Sequence, residues 1–279
     1  MLVAVGLAGV AASASADAGP STNAYFRYQQ KKLCYSRNGP GGLAHVAGTP
    51  QSPGAPMPIV VFLHGMNAAG DMHMWMGDNR GDLRALADTW VGRGDVEPFV
   101  LAAPTHTRFA TGSTVMWPTF DVMDFVGATE QALAGRVKID RTRVILVGHS
   151  AAGCNTQGGL WGDPVQAQGK GLKAVVAVDT CLDEAIGERI AALGQKTPIM
   201  FLHQPGWRRP VGDLSKTCET ARASCQTETF DGLHGNPHEA ILPVAMFRAL
   251  TTLLPGAKAA PAAESTATIS AVSPSRSQP

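Results

Sequence analysis

A serine surrounded by very small residues is the clearest chemical feature of the sequence. Ser150 lies in residues 148–153, which read Gly-His-Ser-Ala-Ala-Gly and directly follow the apolar run at residues 144–147. Small residues on both sides tolerate a strained backbone that pushes the hydroxyl out beyond the end of a strand. Ala152 stands where a second glycine would complete the usual pattern, and it meets the same steric requirement. The segment therefore predicts a nucleophilic serine, with an ordinary glycine-rich turn as the alternative.

The elements that must position this serine alternate along the chain. Amphipathic segments, which predict helices, separate several apolar, β-branched runs, which predict buried strands. These runs lie near residues 59–63, 98–103, 144–147, 172–178 and 198–202. Such alternation predicts an α/β fold in which functional groups gather at the carboxyl ends of parallel strands. Residues 38–58 are rich in glycine and proline and are expected to form a surface connection, and residues 151–160 are expected to form the helix after the serine.

The order of these features resembles the α/β-hydrolase fold over roughly residues 24–254. The resemblance is carried by residues 148–152, by the His64-Gly65 pair after an earlier strand, and by His234 before the last predicted helix. It implies a three-layer fold with a mostly parallel central sheet and helices on both faces. The strand before Ser150 also looks like that of secreted esterases and depolymerases in this superfamily.

The resemblance places the catalytic base between the last strand and the last helix, where two histidines lie. His234 is preferred because it lies in a loop, whereas His238 falls inside the first helical turn. His149, within the serine turn, is expected to point away from the catalytic face. The spacing of His234 and His238 does not fit a zinc site, because Pro237 and the helix start keep them off one regular face. No metal or cofactor is predicted.

The acid that orients the base is left between two aspartates. Most of the superfamily carries it after the next-to-last strand, where Asp213 is the first carboxylate, although Asp213 could simply cap a helix. A minority carries it one strand earlier, where Asp179 stands at the tip of an apolar strand. Asp179 is ranked first and Asp213 second. The resemblance also implies that the backbone amides of Met66 and Ala151 hold the oxyanion, with Gly65 allowing a close approach.

The composition is that of a globular protein with one substantial core. The chain has 279 residues, of which 44% are hydrophobic and 16% charged, with a formal net charge of +1. Near-neutral charge argues against nucleic acid as a partner. Residues 1–16 are expected to be a signal peptide, residues 17–255 the catalytic domain and residues 256–279 a disordered tail. No later apolar run is long enough to span a bilayer.

Five cysteines fit a secreted or periplasmic protein with one or two disulfides. Cys218 and Cys225 are the first candidate pair because they are close in sequence. Cys154 and Cys181 each follow a predicted strand and could meet above the sheet. Spacing alone does not fix either pair.

Together these features predict a monomeric serine hydrolase that cleaves carboxylic esters, small or polymeric, through an acyl-enzyme. A serine peptidase or amidase would use the same groups, and leaving-group specificity is not recorded in the sequence. A hydrolase fold that has lost activity and serves as a binding module is the alternative from a different class.

Overall fold

The computed structural model describes residues 22–28, 41–50, 52–106, 116–181 and 184–258. The expected signal peptide, Cys34 and all but the first three residues of the expected tail lie outside these ranges. None of the helices in this part of the chain is long and apolar enough to cross a membrane.

The secondary structure alternates between strands and helices, as the apolar pattern predicts. The strands are β1 (Thr22–Phe26), β2 (Gly42–Ala47), β3 (Met57–Leu63), β4 (Met76–Asp78), β5 (Gly81–Asp82), β6 (Phe99–Pro104), β7 (Ile139–His149), β8 (Leu172–Val178), β9 (Ile199–His203) and β10 (Cys225–Thr229). The α-helices are α1 (Leu83–Gly92), α2 (Val122–Ala132), α3 (Asp163–Gln168), α4 (Glu184–Gly194), α5 (Arg208–Ala221) and α6 (Pro237–Leu253). All five strands predicted from apolar runs are present, as β3, β6, β7, β8 and β9.

Eight strands form one sheet in the order β1-β2-β6-β3-β7-β8-β9-β10. β2 pairs antiparallel with both β1 and β6, and the other pairings in the sheet are parallel. The central strands β3, β7, β8 and β9 therefore point their carboxyl ends to the same edge. That edge is where parallel α/β sheets gather their functional groups.

Helices cover both faces of this sheet, which confirms the three-layer architecture. On one face, Phe125 of α2 and Ile190 of α4 pack with alternate β3 residues, including Val61. On the other, Leu83 of α1 and Ile241 of α6 pack with the intervening β3 residues, including Phe62. A strand buried on both faces has no polar alternation, which is why β3 reads as a continuous apolar run.

Two sequence-based expectations about local structure are wrong. The segment expected to be a surface connection contains β2, whose residues are all buried between β1 and β6. The ring nitrogens of its one polar residue, His45, lie 2.9 Å from Asn23 Oδ1 and 2.9 Å from Asp88 Oδ1. Such pairing removes the cost of burying a polar side chain in the sheet.

The segment after Ser150 is also not one long helix. It forms short 3-10 helices at Ser150–Gly153 and Gly159–Trp161. Between them Asn155 donates a hydrogen bond to the carbonyl of Met116 (2.7 Å). The second 3-10 helix begins at Gly159, which has a φ of +54°. This left-handed residue and the tight packing against the segment that contains Met116 interrupt the helical hydrogen bonds.

Candidate active site

Ser150 occupies the sharp turn that follows strand β7. Its φ of +57° lies in the left-handed region, which is strained for a residue with a side chain. The strand runs to His149, and a 3-10 helix begins at Ser150 itself. A Cβ added to Gly148 would lie 2.7 Å from Leu160 Cγ, so glycine is required where the turn folds back on the chain. The turn geometry expected from the small residues is present.

His238 reaches this serine from the first turn of helix α6. Asn236 caps the helix by accepting a hydrogen bond from the backbone N–H of His238, and Pro237 fills the first helical position. The Nε2 atom of His238 lies 2.8 Å from Ser150 Oγ. This is hydrogen-bond distance for proton transfer from the hydroxyl to a neutral imidazole.

Asp179 completes a line of three side chains. It directly follows β8, has a φ of +48°, and its side chain is 0% exposed. Its Oδ2 atom lies 2.5 Å from His238 Nδ1. A carboxylate at this position fixes the imidazole so that Nδ1 carries the proton and Nε2 faces the serine.

The structure brings together Ser150, His238 and Asp179, and it leaves the other two predicted residues outside. The preference for His234 needs correction, because its side chain is exposed in the loop before α6 and makes no hydrogen bond with Ser150. Asp213 lies exposed within α5, which begins five residues before it, so it is not a helix cap either. The Asn236-Pro237 capping signal was the sequence feature that could have favoured His238, because it fixes that residue in the turn at the sheet edge.

The loop after β3 passes close to the serine. A Cβ added to Gly65 would lie 2.7 Å from Ser150 Cβ and 3.1 Å from Ser150 Oγ. Only glycine fits this contact without displacing the nucleophile. The next residue, Met66, has a side chain that is 49% exposed. Within the part of the chain that the structure describes, the backbone N–H of Met66 donates no hydrogen bond.

Buried polar residues hold this loop in place. His64 donates from Nδ1 to the Gly65 carbonyl (2.8 Å), and its Nε2 accepts from the backbone N–H of His106 (3.0 Å). Asn67 donates to the carbonyls of Asp71 (2.7 Å) and His106 (3.1 Å). Burial lowers the pKa of His64 from 6.5 to about 3, so its ring stays neutral and keeps both bonds.

Comparison with solved structures identifies the fold. The fold is similar to that of a ferulic acid esterase, with a TM-score of 0.56 and 14% identity over 84% of this chain and 97% of that one. The protein has the α/β-hydrolase fold. Similar structures include an S-formylglutathione hydrolase, FrmB, from Staphylococcus aureus, with a TM-score of 0.53 and 14% identity over 84% of this chain and 97% of that one. They also include a feruloyl esterase module from Clostridium thermocellum complexed with sinapinate, with a TM-score of 0.55 and 13% identity over 87% and 92% of the two chains.

At these identities the likeness establishes the fold, and the neighbours are esterases and serine hydrolases. No family model and no curated protein matches the sequence.

His149 contacts His238, contrary to the expectation that it points away from the catalytic face. Its Nε2–H donates to the backbone carbonyl of His238 (2.7 Å), and the two ring centroids are 4.8 Å apart. Burial lowers the pKa of His149 from 6.5 to about 4, with a further lowering by the nearby His238. A neutral His149 therefore supports the first turn of α6 without placing a second positive charge beside the base.

The described residues form two disulfides, Cys154–Cys181 and Cys218–Cys225, and both were candidate pairs in the sequence. Across the described residues no group of three or more His, Cys, Asp and Glu side chains is arranged to hold a metal ion.

Proposed function

We propose that this protein is a serine hydrolase that cleaves carboxylic esters through an acyl-enzyme intermediate. The observation that carries the proposal is the unbroken hydrogen-bond chain from Ser150 Oγ through His238 to Asp179, with distances of 2.8 and 2.5 Å. A serine alone is a weak nucleophile, and this chain supplies both a base and a group that orients it. The esterase names of several fold neighbours support the choice of an ester over an amide.

In the proposed reaction Ser150 Oγ attacks the ester carbonyl carbon while His238 Nε2 takes the hydroxyl proton. Asp179 stabilises the imidazolium that forms, because its buried carboxylate faces Nδ1. The tetrahedral intermediate then collapses: the bond to the leaving oxygen breaks, and His238 gives the proton to the departing alcohol. Water, deprotonated by His238, attacks the acyl-enzyme in the same way and releases the acid.

The amides of Met66 and Ala151 are proposed to bind the oxyanion. Ala151 directly follows the nucleophile at the start of a 3-10 helix, where N–H groups lack an intrahelical partner. Met66 follows Gly65, whose backbone lies against Ser150. Two such donors aimed at the developing charge are the arrangement that acyl transfer requires.

A monomer acting outside the cytoplasm is proposed as the working form. All three side chains of the proposed triad come from one chain. The two disulfides fit a secreted or periplasmic location, since disulfides persist in oxidising compartments. The side chain of His238 is 36% exposed, so the site is open enough for either a small or a polymeric ester.

The experiment is to measure the burst of p-nitrophenol from p-nitrophenyl butyrate for the wild type and for Ser150→Ala, Asp179→Asn and Asp213→Asn. Each variant is first checked for folding by circular dichroism. The proposal expects turnover to fall by roughly 10⁴-fold or more in Ser150→Ala and Asp179→Asn. Asp213→Asn, at an exposed position on α5, should match the wild type.

Methyl ferulate and a peptide p-nitroanilide, run beside the butyrate ester, separate the substrate classes. If the protein hydrolyses the anilide but neither ester, the proposal of an esterase would give way to that of a peptidase. A wild type that turns over none of them and is not labelled at Ser150 by a fluorophosphonate would overturn the hydrolase proposal in favour of a binding module.

A further inference from the structure

Gln204 stands directly after β9, beside the strand tip that carries Asp179. Strands β8 and β9 are parallel neighbours with Val178 paired to Leu202, and the Asp179 N–H donates to the Leu202 carbonyl (2.8 Å).

Both donors of Gln204 are directed at the carboxylate of Asp179. Its side-chain Nε2 donates to Oδ2 (2.6 Å), and its backbone N–H donates to Oδ1 (3.2 Å). The same Oδ2 atom accepts from Nδ1 of His238. The oxygens of a fully buried carboxylate need hydrogen-bond partners, and Gln204 supplies those that the imidazole does not.

The two bonds also fix the direction in which the carboxylate points. The torsion that rotates a carboxylate is broad, so a single bond to His238 would leave the group free to turn. With one oxygen bound by the backbone and the other shared by Gln204 and His238, the carboxylate plane has one orientation. None of the hydrogen bonds made by Gln204 among the described residues reaches Ser150 or His238.

We propose that Gln204 is a positioning residue, which holds the carboxylate of Asp179 toward His238 from the end of the neighbouring strand β9. The proposal rests on the function proposed above, because it assigns the role of Gln204 within that triad. A positioning role predicts that loss of the Gln204 side chain changes the orientation of His238. A purely structural role predicts that it changes the stability of strand β9.

The test compares Gln204→Met, which keeps the length of the side chain and removes its donor, with Gln226→Met, which makes the same change at an exposed position on β10. Three quantities are measured: kcat and KM for p-nitrophenyl butyrate, the rate of Ser150 labelling by a fluorophosphonate, and the far-downfield proton resonance of His238 Nδ1–H. Gln204→Met is expected to lower kcat and labelling by about 10- to 100-fold with KM unchanged, and to shift or broaden the resonance. Gln226→Met should leave all three as in the wild type.

A second variant, Gln204→Asn, covers the case in which Gln204→Met does not fold. It keeps an amide but is one carbon shorter, so its side-chain donor no longer reaches Oδ2 of Asp179, and kcat should fall by about 10-fold or more with KM unchanged. Unchanged kcat and resonance in either variant would overturn the proposal.

Failure of the proposed function has a different signature. A wild type that shows neither turnover nor labelling would contradict the proposed hydrolase function. The Nδ1–H resonance, compared between the wild type and Gln204→Met, would still show whether Gln204 orients Asp179 toward His238.

Discussion

Cys154, four residues after Ser150, is disulfide-bonded to Cys181, two residues after Asp179, with their Cα atoms 4.8 Å apart. The bond therefore joins the turn that carries the proposed nucleophile to the strand tip that carries the proposed acid. Both of these residues have positive φ values. A covalent link beside two strained positions stabilises a geometry that the backbone would otherwise relax.

Removal of this disulfide by Cys154→Ala and Cys181→Ala together should lower both stability and activity. The two cysteines are 27 residues apart, against 7 for Cys218 and Cys225. Chain entropy then predicts a loss of about 3 to 4 kcal/mol for the first pair and about 2 kcal/mol for the second. Urea unfolding measures both losses. The matched variant Cys218→Ala with Cys225→Ala should keep wild-type kcat, and an equal fall in kcat for both pairs would show that the link does not position the site.

His238→Ala should abolish ester hydrolysis, and His234→Ala should not. Of these two histidines, His238 has its Nε2 atom 2.8 Å from Ser150 Oγ, while His234 is exposed four residues earlier. Loss of the base is expected to lower kcat by roughly 10⁴- to 10⁶-fold. Steady-state kinetics on p-nitrophenyl butyrate check this. Full activity in His238→Ala would contradict the assignment of His238 as the catalytic base.

Gly65→Ala should lower kcat by about 10²-fold or more while the protein remains folded. The added methyl group would lie 2.7 Å from Ser150 Cβ, closer than real side-chain atoms approach, so the nucleophile or the Met66 amide must shift. Gly171→Ala is a suitable control for the general effect of such a change, because Gly171 has no positive φ and nothing lies within 4 Å of the Cβ that it would add. Equal kcat in Gly65→Ala and the wild type would argue against Met66 as an oxyanion donor.

The free energy of unfolding should fall as the pH drops below about 6.5, because two buried histidines stay neutral in the fold. Burial lowers the pKa of His64 to about 3 and that of His149 to about 4, from 6.5 in each case. Between these values and pH 6.5 the unfolded chain binds protons that the folded chain does not. Stability is therefore greatest above the unfolded pKa and decreases toward the folded one, by roughly 3 kcal/mol for His149 alone.

The variant His149→Gln isolates this effect. Its amide can still donate to the carbonyl of His238 but cannot titrate. Between about pH 7.5 and about pH 4.5 its unfolding free energy, measured in urea, should fall by roughly 2 kcal/mol less than that of the wild type. An identical fall would mean that His149 does not remain neutral in the folded protein.

The sequence predicted most of the sheet and the serine turn because both depend on local patterns. A strand buried on two faces must be continuously apolar, and a left-handed serine needs small neighbours, so β3, β7 and the turn at Ser150 could be read directly. Strand β2 could not, because its glycine, alanine and histidine are ordinary loop residues. It is a strand only because β1 and β6 lie on either side of it and Asn23 and Asp88 satisfy His45.

The sequence by itself predicted the α/β-hydrolase fold, Ser150 as the candidate nucleophile and a short set of partners: two histidines, two aspartates and two candidate disulfides. Tertiary structure decided between them. Which of His234 and His238 meets Ser150 depends on where α6 packs against the sheet through residues such as Ile241 and Leu242. The parallel strands β8 and β9 likewise place Asp179 beside His238, and β9 supplies Gln204 as the second hydrogen-bond partner of Asp179. Distances between residues far apart in the chain follow from packing, which local residue patterns do not record.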